Sequence, residues 1–263
     1  MKWISILIWL LFWAAMLYSQ TAPAGNDAFK IGFAAFQQGN YELAVKSYTQ
    51  AIKAEPGRNY FYYNRGLAYK AEDRNELALA DFQQSSNLKP TAEAYYEIGA
   101  AQYKKADFTS AKSNLEKAHA LRSDYENLDF YLGLIYFNQE EYDKGTACLE
   151  EYTKRVKSNP DAYFFCALCQ AKTGKKDAAA VSVKMVSMLR GNDPKYYYKM
   201  YQLYVAIDDN QSALNNLSML IETGAHKAEY YKARASLYEQ MGDKQRSDED
   251  LVLAAQEKSM ASK

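Results

Sequence analysis

Two thiols three residues apart, Cys166 and Cys169, have the spacing at which a dithiol can exchange with a disulfide. That chemistry needs a helix N-terminus or a nearby cation to lower one thiol pKa. Here the apolar periodicity puts both thiols in mid-helix, on columns that otherwise hold core residues, so they read as small apolar fillers. Gln170 directly after Cys169 also breaks the haem-attachment signature. Cys148, on a polar column with Ser47, Asp81 and Asn114, reads as an exposed thiol. The only histidines, His119 and His226, have no second histidine in ligand spacing and read as solvated surface residues. Glu140 and Glu141 fall at a turn, where solvation explains them. No phosphate loop, nucleophile elbow or His-Glu-x-x-His helix is present. The expectation is a non-catalytic chain with no metal and no cofactor.

Composition points the same way. Thirty-two basic and 32 acidic side chains balance, which removes the electrostatic case for nucleic acid. Three cysteines cannot form a disulfide framework. Twelve glycines, five prolines and 48% apolar residues describe an ordered, helix-rich chain, and 24 tyrosines are its oddity. At the start, Lys2 precedes an apolar run from Trp3 to Tyr18, followed by small and polar residues through Gly25. That order is the layout of a secretory signal, and the run is shorter than the ~20 residues that span a bilayer comfortably. Residues 1–24 are read as a cleaved signal peptide, with a retained N-terminal membrane anchor as the alternative. The expected location is outside the cytoplasm: periplasmic, secreted, or on the outward face of a membrane.

The elements that would position any site repeat along the rest of the chain. Tyr62-Tyr63-Asn64-Arg65-Gly66-Leu67-Ala68-Tyr69 returns as Tyr95-Tyr96-Glu97-Ile98-Gly99-Ala100-Ala101-Gln102, again from Phe130 and again from Tyr230. Anchoring on these gives repeats 25–58, 59–91, 92–125, 126–159, 160–193, 194–227 and 228–261, with 262–263 as a tail. Each repeat reads as two amphipathic helices. The first carries a small residue for close approach at Gly32, Gly66, Gly99, Gly133, Ala167 and Ala235. The turn follows at Gly39, Asp73, Ala106, Glu140, Gly174, Asp208 and Gly242. The second helix pairs Ala44 with Tyr48, Ala78 with Phe82 and Ala111 with Leu115, one turn apart on one face. Asn159-Pro160 and Asp193-Pro194 read as an N-cap followed by proline in the first turn.

These marks resemble the tetratricopeptide repeat across residues 25–261, most closely in the second repeat. The resemblance implies an all-α, right-handed solenoid of about seven helix pairs with a concave groove that binds peptides or protein segments. Stacking is required independently, since no single helix pair can bury its apolar face alone. Tyr201, where a small residue is usual, is expected to loosen the sixth repeat.

In that family the first helices line the groove. One column there reads Phe29, Tyr63, Tyr96, Phe130, Phe164 and Tyr198, ending in Lys232, and Phe33 lies one turn along. Phe29, Phe33, Tyr63, Tyr96, Phe130, Phe164 and Tyr198 are therefore the expected peptide-binding residues, because aromatic rings give large contact area at low entropic cost. The opposing reading is that these rings stack between adjacent repeats, as the neighbouring column Tyr62, Tyr95, Tyr163, Tyr197 and Tyr231 is expected to do. Family members that grip a chaperone tail use Lys, Asn and Arg on successive first helices. Asn64 is present, but Phe29, Phe33, Glu93 and Glu97 stand at the other places, so that clamp is absent.

Charge is uneven along the chain. From Asp124 to Glu151 eight acids stand against Lys144, and from Tyr152 to Lys199 ten bases stand against three acids. Neighbouring repeats that satisfy each other explain this, with a bipolar docking surface as the alternative. The last repeat has no capping helix, so Leu251, Val252 and Leu253 are candidates for docking a partner or a second copy. The function expected is a protein-interaction module or assembly scaffold. A self-associating solenoid and a small-ligand binder that stacks carbohydrate on tyrosine are the alternatives.

Overall fold

The computed structural model describes residues 24–125, 127–190, 193–224 and 227–260. Residues 1–23 of the proposed N-terminal signal, His226 and the tail 262–263 lie outside the described residues. Fourteen helices make up the described chain: α1 Ala24–Gln37, α2 Tyr41–Ala54, α3 Asn59–Ala71, α4 Asn75–Leu88, α5 Ala92–Lys104, α6 Phe108–Leu121, α7 Leu128–Asn138, α8 Tyr142–Arg155, α9 Pro160–Lys172, α10 Lys176–Arg190, α11 Pro194–Ala206, α12 Asn210–Glu222, α13 Ala228–Gln240 and α14 Lys244–Met260. There are no strands among the described residues. Consecutive helices pair as hairpins, and the hairpins form two compact units, one ending at Leu128 and one beginning at Asp129. Among the described residues no helix is long and apolar enough to cross a membrane.

Each hairpin turns through one residue in the left-handed region: Gly39, Asp73, Ala106, Glu140, Gly174, Asp208 and Gly242. The residue after it donates its N–H back to the carbonyl of the last turn, as from Arg74 to Tyr69 at 2.9 Å and from Lys175 to Gln170 at 2.8 Å. This is a Schellman closure, which satisfies carbonyls that the helix end leaves open. Side-chain caps start the next helix at Asn40, Asp107 and Asp209. The two Asx-Pro starts are built as expected: the Asn159 carboxamide oxygen accepts from the N–H groups of Asp161 and Ala162, and the Asp193 carboxylate accepts from that of Lys195.

The core of each hairpin is a small residue under a large one. An ideal Cβ at Gly66 would lie 2.7 Å from Phe82, at Gly99 2.6 Å from Leu115, and at Gly133 2.5 Å from Leu149. Tyr48, Phe82, Leu115, Leu149 and Leu217 are completely or almost completely buried there, each burial contributing about 2–3 kcal/mol. In the fifth hairpin Ala167 replaces glycine and Val183 replaces the larger partner, and both are buried. Leu251 occupies the same column at the end of the second unit and is 49% exposed. Within the units, buried residues of the following first helix share a cluster with this column: Ala68 with Tyr48, Ile98 with Phe82, and Met200 and Leu203 with Val183; at α14 Leu251, Val252 and Leu253 remain exposed.

Candidate functional site

The aromatic column expected to line a groove is mostly a wedge between helices. Phe29 stacks on Phe61 at 5.4 Å and meets Tyr60 edge-on at 5.0 Å, both from the next hairpin. Tyr63 packs on Phe82 at 5.7 Å, and Phe130 on Tyr152 at 5.2 Å. Tyr96 and Phe164 are buried, contrary to an open face at those two positions. The reason is geometric: the column sits one turn before the small residue where the hairpin closes, so a ring there covers the large residue of the second helix. Phe33 and Tyr198 keep 47% and 39% of their surface exposed, and Phe29, Tyr63 and Phe130 are half-buried. In the neighbouring column Tyr197 and Tyr231 are buried, while Tyr62, Tyr95 and Tyr163 are half-buried.

In the first unit the groove side of α3 and α5 is filled by the chain's own groups. Tyr125, on the loop after α6, meets Tyr96 edge-on at 4.6 Å and shares a hydrogen bond with Tyr63. Burial, that hydrogen bond, and the charges of Glu97 and Glu93 hold the Tyr63 phenol far above its ordinary pKa. Arg122 pairs with Glu93 at 3.0 Å and lies over the Tyr125 ring at 4.5 Å. Glu97 is buried and pairs with Lys70 at 2.6 Å. Both acids at the positions where a carboxylate clamp needs bases are therefore held by internal cations.

In the second unit the first helices leave an opening. A cleft of about 320 Å³ lies between α9 and α11, lined by Leu168, Ala171 and Lys172 on one side and Gln202, Val205 and Ala206 on the other. The two sets are the same three repeat positions, 34 residues apart. Tyr198 lies on the same face of α11, one turn before Gln202. Its ring packs on Tyr230 at 5.4 Å and on Tyr201 at 5.6 Å. The cleft offers an apolar floor, an amide that can both donate and accept, and one ammonium group. Lys172 makes no ion pair among the described residues. These six residues are inconspicuous in sequence. The signal that finds them is the phase of the repeat, which places them one to two turns beyond the aromatic column on the same helix face.

The thiols carry no redox site. Cys166 and Cys169 are buried in α9, and burial pushes them up to about 11 and about 12. Cys148 is half-buried rather than exposed, because α9 packs on its face of α8: Cys169 Sγ would lie 2.9 Å from a Cβ at Gly145, one turn before Cys148. No group of three His, Cys, Asp or Glu side chains with metal-ligand geometry occurs among the described residues.

The uneven charges are partly satisfied between helices. Asp129 pairs with Arg155, Asp143 with Lys175 and Asp208 with Lys176. Asp161 pairs with Lys199 and accepts a hydrogen bond from the Tyr196 hydroxyl at 3.1 Å.

Comparison with known proteins agrees with this architecture. Tetratricopeptide repeats are recognised at residues 32–73 by a family model described as TPR repeat, and at 60–91 and 130–183 by two described as tetratricopeptide repeat. The chain is similar to the Hsp70-Hsp90 organizing protein of Triticum aestivum, 37% identical over 104 residues, which are 39% of this chain and 18% of that protein. Among solved structures it is similar to YrrB, described as a TPR protein with an unusual peptide-binding site, with a TM-score of 0.59 and 24% identity over 68% of this chain and 93% of that one. It is also similar to Pseudomonas aeruginosa pilF, with a TM-score of 0.62 and 16% identity over 81% of this chain and 97% of that one. The fold is thus an all-α stack of tetratricopeptide-type hairpins, a repeat that commonly mediates protein–protein interaction.

Proposed function

We propose that the chain is a non-catalytic interaction module that acts outside the cytoplasm and holds a segment of a partner protein across the first helices of its second unit. The observation that carries this is the cleft between α9 and α11, built from the same three positions of two successive repeats. Leu168, Ala171, Val205 and Ala206 take an apolar side chain. Gln202 reads the partner's main-chain amide, and Lys172 takes a carboxylate or a carbonyl oxygen. Tyr198 contributes the exposed part of its ring. In the first unit Phe29, Phe33 and Tyr63 form a lesser surface, whose acids are already neutralised by Lys70 and Arg122. A chaperone-tail carboxylate is not the ligand there, despite the likeness to a chaperone organizer over part of the chain.

Peptide display against the full chain, counter-selected on a Leu168→Glu/Val205→Glu variant of unchanged helicity, tests the reading. Peptides with an apolar anchor that bind at least about tenfold more weakly to the variant support it. Equal binding to both proteins overturns it. Export is tested by the mass of the protein purified from its own cells: loss of the apolar run from Trp3 to Tyr18 supports a cleaved signal, and an intact chain in the membrane fraction supports the anchor. A second reading, self-association, is favoured by the exposure of Leu251, Val252 and Leu253. Light scattering of wild type beside Leu251→Gln/Leu253→Gln distinguishes it, since only self-association through that edge changes the mass.

A further inference from the structure

The segment between α6 and α7 departs from the repeat. Before α5, α9 and α11 the last residue of the repeat is Thr91, Asn159 or Asp193, and its side chain caps the helix that follows. Before α7 that residue is Tyr125, and α7 begins only at Leu128. The Tyr125 ring lies back over the first unit, edge-on to Tyr96 at 4.6 Å and hydrogen-bonded to Tyr63. Three residues earlier, Arg122 reaches Glu93 at 3.0 Å and lies over the same ring at 4.5 Å. One short segment thus sets a guanidinium against α5 and a phenol against α3 and α5.

These contacts with α3 and α5 are made by side chains, while the main chain is tied to the flanking helices. The Arg122 N–H donates to the Ala118 carbonyl of α6, and the Tyr125 carbonyl accepts from Leu128 of α7. The side chains are open to water: Arg122 keeps 49% and Glu93 37% of its surface, and Tyr125 is half-buried. Exposed ion pairs and single ring contacts contribute little, so the segment can lift off without unfolding a helix. We propose that residues 122–125 are a strap that occupies the first unit's groove in place of a partner, and that the partner is a protein segment carrying a base three residues before a tyrosine.

The strap's own chemistry selects that occupant. Once Arg122 leaves, Glu93 loses this partner beside the rings of Tyr63 and Tyr96. An acidic segment is then repelled, and a purely apolar one leaves the carboxylate uncompensated. A second copy that supplied its own residues 122–125 would trade identical contacts and still bear the entropic cost of association. A tether of a few residues holds the strap at an effective concentration on the order of millimolar. A partner overcomes this by continuing across α3 to Phe29 and to Phe33, which is 47% exposed on α1.

The test uses the full chain and a capped, fluorescently labelled peptide copied from residues 119–125. Anisotropy is expected to show saturable binding to Arg122→Ala/Tyr125→Ala at least about tenfold tighter than to wild type, because the emptied groove has no tethered competitor. That binding is expected to weaken at least about tenfold when Glu93→Lys is added, or when the peptide's tyrosine is replaced by alanine. Adding Leu168→Glu/Val205→Glu is expected to leave it unchanged, which separates this site from the cleft of the second unit. Equal binding to wild type and the emptied variant, no binding to either, or binding untouched by Glu93→Lys overturns the proposal. Loss of helicity in Arg122→Ala/Tyr125→Ala also overturns it, by making the ring part of the core. So does a wild-type dimer in light scattering that this variant abolishes, which would assign the groove to a second copy.

Discussion

Arg65 and Asp81 are joined by a two-pronged contact across the second hairpin, with Nε to Oδ2 at 2.7 Å and Nη2 to Oδ1 at 2.8 Å. The guanidinium also donates to Thr49 of the preceding hairpin, at 3.1 Å. Arg234 repeats the arrangement with Asp250, at 2.7 Å on both prongs, and reaches Ser218. Where the arginine position holds Ile98 or Met200 instead, the partner position holds Asn114 or Asn216. Charge at one place is matched by charge at the other, 16 residues later. The pairing holds the Arg65 guanidinium above its ordinary pKa, chiefly through the hydrogen bonds it donates to Asp81.

Removing one prong strands a mostly buried cation. Asp81→Asn is expected to cost about 2 kcal/mol, read as faster hydrogen exchange in α3 and α4 rather than as one global midpoint. Arg65→Ile with Asp81→Asn reproduces the combination of the third hairpin and is expected to recover most of the loss. A double variant as weak as the sum of the singles would show that the pair is not a coupled unit.

At the helix crossing, Gly133→Ala drives a methyl into Leu149, and the gain in helix propensity offsets only part of the clash. A net loss of about 1–2 kcal/mol is expected by denaturant titration. Adding Leu149→Val is expected to restore stability, because Ala167 over Val183 already uses that combination.

Tyr48 is fully buried with its hydroxyl oxygen unpartnered, below Gly32. Tyr48→Phe keeps the ring and removes the unpaired group, so it is expected to stabilise the first hairpin by about 1 kcal/mol. Phe82 fills the same place one repeat later. Thermal melts of the two proteins check this.

Burial raises Tyr48 to about 12, Cys166 to about 11 and Cys169 to about 12. The folded chain thus keeps protons that the unfolded chain gives up from pH 9.0 for the thiols and 10.0 for the phenol. Stability from these groups is complete below those values and falls as pH rises toward 11–12, by at most about 1.4 kcal/mol per pH unit for each group. Denaturation from pH 8 upward is expected to show this decline. Iodoacetamide at pH 8 is expected to modify Cys148 first and to reach Cys166 and Cys169 only after unfolding.

The hairpins were legible because their requirements are local. Gly39, Ala106 and Glu140 stand at the one place where the chain must turn, and each takes the left-handed conformation there. Gly66 and Phe82 announce a close crossing by size alone. The site was less legible for a physical reason. Tyr96 and Phe164 are conspicuous because they are large, and large rings on a helix face are also what seals one hairpin to the next. Ala171 and Ala206 make the opening by being small, and small residues carry no mark of their own.

The cleft between α9 and α11 also constrains the sequence of whatever fills it. Packed helices lie about 8–10 Å apart, and an extended chain advances about 3.3 Å per residue. A strand crossing from one first helix to the next therefore offers every third residue to equivalent positions. The partner's recognition segment should carry its anchors at intervals of three, and its length should count the repeats that read it.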